Sequence, residues 1–253
     1  MPRRRRAWER QACYHITHRC HDREYRFRFE KYRRMYRRYL FEATKRFNFR
    51  VLTWTLTSNH THLLVTSGDR GTPQISEALQ FVHGETAQHY NLARRCSGSF
   101  WANRFHATRI QHGAHLGRCI CYIDLNMVRA GAVDHPREWL YGTWTEFFGG
   151  RQRYRIVDRD TLLNRLDIGT WGSFECWYRA TLDEKLCRKH ELQRHPFWSS
   201  AIAVGDPDWL ATTALQSGMK RFEIREAIPS SPEDPSSNLK SFFLGSKNQS
   251  KIH

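Results

Sequence analysis

The stretch Thr57-Ser58-Asn59-His60-Thr61-His62-Leu63-Leu64-Val65 follows a β-branched and aromatic run over residues 51–57 and ends in apolar residues. Both halves read as strands, and Ser58-Asn59 supplies the residue types that bend a chain between them. Side chains alternate between faces along a strand, so His60 and His62 point one way and Thr61 the other. Two imidazoles side by side on one sheet face suit a divalent metal. Taken alone, the pair is better read as two exposed histidines beside a turn.

A second stretch changes that reading. Cys119-Ile120-Cys121-Tyr122-Ile123-Asp124-Leu125-Asn126-Met127-Val128-Arg129-Ala130-Gly131 predicts a helix closed by a glycine. Tyr122 and Asn126 are four apart and share a helical face. A Tyr hydroxyl and an amide oxygen facing two strand histidines make a compact site for phosphoryl transfer.

His-x-His in a strand, then Tyr-x-x-x-Asn in a helix running into Asn-x-Val-Arg-Ala-Gly, resembles the HUH-type single-strand DNA transposases. Within them it is most similar to the REP-associated tyrosine transposases of the IS200-like family. The resemblance extends over residues 13–144 and more loosely to 215; Trp101, Arg104 and Phe105 also follow a family-like Trp-x-x-Arg-Phe pattern. The family fold implied is α+β, an antiparallel sheet with helices packed on one face (HUH/ferredoxin-like), which agrees with the predicted order of strands and helices. The activity implied is that of a metal-dependent transposase. It cuts and rejoins single-stranded DNA through a covalent 5′-phosphotyrosine intermediate and leaves a free 3′ hydroxyl. By resemblance, Tyr122 is the catalytic nucleophile. His60, His62 and the Asn126 amide oxygen hold Mg²⁺ or Mn²⁺, and two imidazoles lean the choice toward Mn²⁺ in vitro. Two positions depart from the family pattern: Thr61, where an apolar residue is usual, and Met127, where many relatives have Pro.

The chain has 253 residues, with 41 Lys and Arg against 25 Asp and Glu, a formal net charge of +16. That balance calls for a polyanionic partner, most simply nucleic acid; with the resemblance, single-stranded or hairpin DNA. No apolar run approaches a membrane span, and Pro2-Arg3-Arg4-Arg5-Arg6 lacks the apolar core of a signal peptide. The expected setting is cytoplasmic and nucleoid-associated, as a monomer or homodimer. Seven irregularly spaced cysteines fit reduced thiols.

The organisation expected is a basic disordered arm (1–10), an HUH transposase-like catalytic domain (11–148), a helical accessory region (149–228) and a disordered tail (229–253). Residues 13–21 read as a first strand; their Cys and His content raises a zinc site as a rival, but no matching Cys pair lies nearby. Residues 29–47 predict a helix with a basic face, placing Arg34, Arg37 and Arg38 among the candidate DNA-binding residues with Arg104, Arg109 and Arg129. Thr72 and Pro73 predict the cap and first position of a helix running to about 94. His106, His112 and His115 are substitutes for a ligand, although none shares the spacing of His60 and His62. Two rival functions compete with the transposase: a catalytically inactive nucleic-acid-binding protein derived from one, and a metal-dependent nuclease that uses water.

Overall fold

The computed structural model describes residues 8–150, 153–188, 192–219, 222–226 and 241–245. Four strands form the part of the sheet that carries the site: β1 (Cys13–Arg19), β2 (Arg50–Leu56), β3 (His60–Thr66) and β4 (His106–Ile110), antiparallel in the order β2-β3-β1-β4. The bend at 57–60 is tied by Thr57, whose Oγ1 accepts from the His60 backbone N–H (3.0 Å) and donates to the His60 carbonyl (3.0 Å). β2 and β3 therefore pair in register, with Thr55 opposite His62 and Leu56 opposite Thr61.

Nearly every side chain of β2 and β3 is buried, the mark of a sheet covered on both faces. Helices α1 (Glu30–Arg46) and α2 (Ile75–Arg94) cover the face that Thr61 looks onto: the Tyr36 hydroxyl donates to Thr61 Oγ1 (3.1 Å) and His83 meets His18 (3.0 Å between Nδ1 atoms). Helix α3 (Ala114–Asp124) lies on the opposite face, where Thr53 Oγ1 donates to Asp124 (2.8 Å). The α+β class holds, with helices on both faces rather than the single layer expected. The physical reason is that β1 and β3 carry apolar residues on both sides, Ile16, Leu63 and Val65 on one and Cys13 and Leu64 on the other, all buried.

Beyond α3 come α4 (Asn126–Arg129), α5 (Trp144–Phe148), α6 (Arg159–Leu166), α7 (Trp171–Cys187) and α8 (Pro207–Gln216). Asp158 and Thr170 cap α6 and α7 by accepting from the Thr161 and Ser173 backbone N–H groups. The region expected to be helical also adds strands. β5 (Ala203–Gly205) runs parallel to β4, and β6 (Glu223–Glu226) and β7 (Phe242–Gly245) extend the sheet, among the described residues, to seven strands in the order β2-β3-β1-β4-β5-β7-β6. The sheet is thus mixed, not purely antiparallel. β7 falls where a disordered tail was expected, because Leu244 is buried with Ala203, Leu210 and Ala214 in a second small core. Gly205 lets β5 approach: a Cβ there would sit 2.5 Å from both Gln111 Oε1 and Trp209 Cε3.

Two boundaries differ from expectation. Helix α2 starts at Ile75, not after Thr72, because Asn48 ties the preceding loop by donating to the Arg70 and Thr72 carbonyls (2.9 Å each). The helix predicted over 119–131 is broken at Leu125 (φ −78°, ψ 3°), so Tyr122 lies in the last turn of α3 and Asn126 opens α4; Gly131 (φ +65°) follows α4. The arginine arm, Arg3 to Arg6, lies outside the described residues.

Candidate active site

His60 and His62 project from β3 onto the α3 face, their ring centroids 4.9 Å apart. The Tyr122 ring stands edge-on to His62 at 6.3 Å, and the Asn126 amide nitrogen lies 3.1 Å from His62 Nε2. The other three residues proposed for the site thus gather around His62, although a break in the helix separates Tyr122 from Asn126. At that break Arg129 Nη2 donates to the Tyr122 carbonyl (2.7 Å), and its guanidinium lies 4.1 Å from the Tyr122 ring centroid.

The local bonding fixes how His60 presents its ring. Its Nδ1 lies 2.7 Å from Asn59 Oδ1 and 2.8 Å from Thr57 Oγ1. Asn59 Nδ2 donates to the Arg23 carbonyl, which orients the amide so that its oxygen faces the ring, and the Thr57 hydroxyl proton is given to the His60 carbonyl. Both neighbours of Nδ1 are acceptors, so Nδ1 carries the hydrogen and Nε2 keeps its lone pair. Burial, with Arg19 and Arg194 adding to it, pushes the His60 imidazole down to about 3. Burial, then His60, His15, Arg129 and Arg19, hold His62 well below its usual value. Two neutral imidazoles fit a divalent cation with positions to spare, and Asn126, which here turns its amide nitrogen to His62 Nε2, would add its oxygen once the amide is rotated. Among the described residues no group of three His, Cys, Asp or Glu is arranged to hold a metal, and all seven cysteines are free thiols.

Burial raises the Tyr122 phenol above its ordinary value, and Arg129 and Arg194 pull it back down. The hydroxyl is therefore protonated at neutral pH in a pocket of positive potential. Thr61, the departure between the two histidines, is fully buried on the other face, where Tyr36 satisfies its hydroxyl.

The substitute histidines are engaged elsewhere: His106 Nε2 with the Ala201 carbonyl (2.9 Å), His112 Nε2 with the Gln11 carbonyl (3.1 Å) and His115 Nε2 with Asp206 (3.0 Å). The candidate DNA-binding arginines divide. Arg34 and Arg38 are exposed, paired with Glu30 (3.1 Å) and Glu42 (3.6 Å). Arg37 packs over Tyr141 and Tyr154. Arg104 is exposed. Arg109 is tied to Glu9 and stacks over Trp209 (5.1 Å), and Arg129 lies at the site itself. Sequence reasoning missed His15, Arg19, Arg194 and Trp198, which surround the site. His15 shares a face with His62 through the antiparallel pairing of β1 and β3, a register no local pattern reveals; Trp198 arrives from 183 residues downstream of His15.

Residues 9–126 match the family described as Transposase IS200 like. No curated protein matches the chain. A solved structure described as a REP-associated tyrosine transposase bound to a REP hairpin is similar at 19% identity, with 58% of this chain and 84% of that one covered and a TM-score of 0.47.

Proposed function

We propose that this chain, whose residues 9–126 match the IS200-like transposase family model, is a metal-dependent strand transferase that cuts and rejoins single-stranded or hairpin DNA through a 5′-phosphotyrosine. The observation that supports this is the convergence of His60, His62, Asn126 and Tyr122 on the α3 face of the sheet.

In this reading the Tyr122 oxygen attacks the scissile phosphorus and the P–O3′ bond breaks. The protein is left esterified to the 5′ phosphate, and the tyrosyl proton ends on the departing 3′ oxygen. A later 3′ hydroxyl attacks the phosphotyrosine, releases Tyr122 and restores a phosphodiester, so bond energy is conserved without water or ATP. Arg129 fixes the backbone of Tyr122 and, with Arg194, favours phenolate character as the proton leaves. Arg19 and Arg194 set a positive field for the phosphate. His60 and His62 through Nε2, with the Asn126 amide oxygen, would hold Mg²⁺ or Mn²⁺. Such an ion supplies Lewis-acid stabilisation of the charge that builds on the non-bridging oxygens.

The test is incubation of the full chain with labelled hairpin-bearing single strands and Mg²⁺ or Mn²⁺, read on denaturing gels. A protein–DNA adduct that Tyr122→Phe abolishes is the expected result. Cleavage by Tyr122→Phe at the wild-type rate overturns the nucleophile. Cleavage with no adduct points to a water-using nuclease, and binding with no cleavage to an inactive relative.

A further inference from the structure

A third histidine lies against the site. His15 is fully buried on β1, and its ring lies edge-to-edge with that of His62, centroids 5.1 Å apart and planes only 17° apart. Its Nε2 is 2.9 Å from His62 Nδ1, and its Nδ1 is 2.7 Å from the carbonyl of Trp198. In register His15 faces Leu64 across the strand pair, so it reaches His62 diagonally on the same face.

The protons on this chain can be assigned in sequence. A carbonyl only accepts, so His15 Nδ1 must donate to Trp198. A neutral imidazole has a single N–H, so His15 Nε2 is left with a lone pair. That lone pair faces His62 Nδ1, which must then carry the hydrogen of His62. His62 Nε2 is left with its lone pair, on the side where Asn126 lies 3.1 Å away.

We infer that His15 is a positioning residue that fixes the tautomer and ring orientation of His62, and that the register of this relay is set by the backbone of Trp198 in the C-terminal region. The 3-10 turn Pro196–Ser199 that holds this carbonyl is anchored beside the strand: the Ala201 carbonyl accepts from His106 Nε2 (2.9 Å) and Thr108 Oγ1 (2.9 Å), and the Trp198 ring lies 5.8 Å from that of Tyr122. The C-terminal region thus completes the site from behind. Without the relay, His62 is free to place its hydrogen on Nε2, the nitrogen that must be bare to bind a cation.

This inference rests on the metal-binding reading of His62, and its tests separate it from the DNA chemistry. Ring ¹⁵N spectra of the metal-free full chain should show His62 as the single Nδ1–H tautomer; an Nε2–H tautomer in the wild type overturns the assignment whatever any variant does. His15→Asn keeps a donor toward Trp198 but is too short to reach His62, whereas His15→Gln places an oxygen near the lost Nε2. His15→Asn should weaken Mn²⁺ binding, followed by electron paramagnetic resonance, roughly 10- to 100-fold. His15→Gln should recover most of that loss, and both variants should bind hairpin DNA as the wild type does in EDTA. Wild-type Mn²⁺ affinity in His15→Asn, or equal loss in both variants, refutes the positioning role. If the tautomer and Mn²⁺ results hold while no Tyr122 adduct forms, the strand-transfer proposal fails and this one stands.

Discussion

Asp124 lies between Tyr122 and Asn126 in sequence but points away from them into a buried knot, where it accepts from Thr53 Oγ1 and from the Tyr178 hydroxyl of α7. Thr53 also meets Thr143 at 2.6 Å. The knot pins the nucleophile's helix to β2 and to α7. Burial raises the Asp124 carboxyl from 3.8 to about 7, against the pull of hydrogen bonds from Tyr178, Thr53 and Thr143. With the folded value above the unfolded one, the native state binds the extra proton, so its stabilising effect is full below about pH 4 and lost as pH rises through about 7. A rise of that size corresponds to about 4 kcal/mol, or about 1.4 kcal/mol per pH unit across that window. Asp124→Asn removes this dependence while keeping the shape. Urea unfolding of both proteins in EDTA, from pH 4.5 to 8, should give a stability difference, wild type minus variant, that falls steadily with pH and flattens above 7. A difference that stays constant across the range would show that Asp124 is ionised in the folded protein, and would refute the account of the knot.

His60→Ala and His62→Ala should each eliminate adduct formation while leaving hairpin affinity in EDTA nearly unchanged, because the charge of the DNA backbone dominates affinity; parallel loss of both in filter binding would make these histidines structural. Arg34→Ala with Arg38→Ala should flatten the plot of log affinity against log salt by about one unit of slope for each phosphate no longer neutralised; an unchanged slope would assign both to their partners Glu30 and Glu42. Thr61→Val restores an apolar residue between the histidines yet leaves the Tyr36 hydroxyl only the longer contact to His83 Nε2 (3.5 Å), so it should lower stability by about 1 kcal/mol in thermal unfolding. A more stable variant would show that this bond contributes nothing. Gly205→Ala, whose new Cβ meets Gln111 and Trp209, should cost about 1–3 kcal/mol in urea unfolding, and a neutral effect would mean that β5 shifts freely.

The sequence determined the local elements of the site, because local patterns carry them. The period of two in His60-Thr61-His62 puts both imidazoles on one face, and the aromatic stripe of Tyr32, Tyr36 and Tyr39 marks the buried side of α1. The spacing of Tyr122 and Asn126 likewise brought them to the same place, although the break at Leu125 depends on bonds that no helical pattern encodes. What only the tertiary structure decided is everything carried by strand register and long-range pairing. His15 joins His62 because β1 pairs antiparallel with β3, and Trp198 reaches His15 because β5 adds to β4 in parallel. The arginines of α1 divide between acids and aromatic faces according to which segment packs over them. Such pairings join residues far apart in the chain, where spacing no longer says which groups meet.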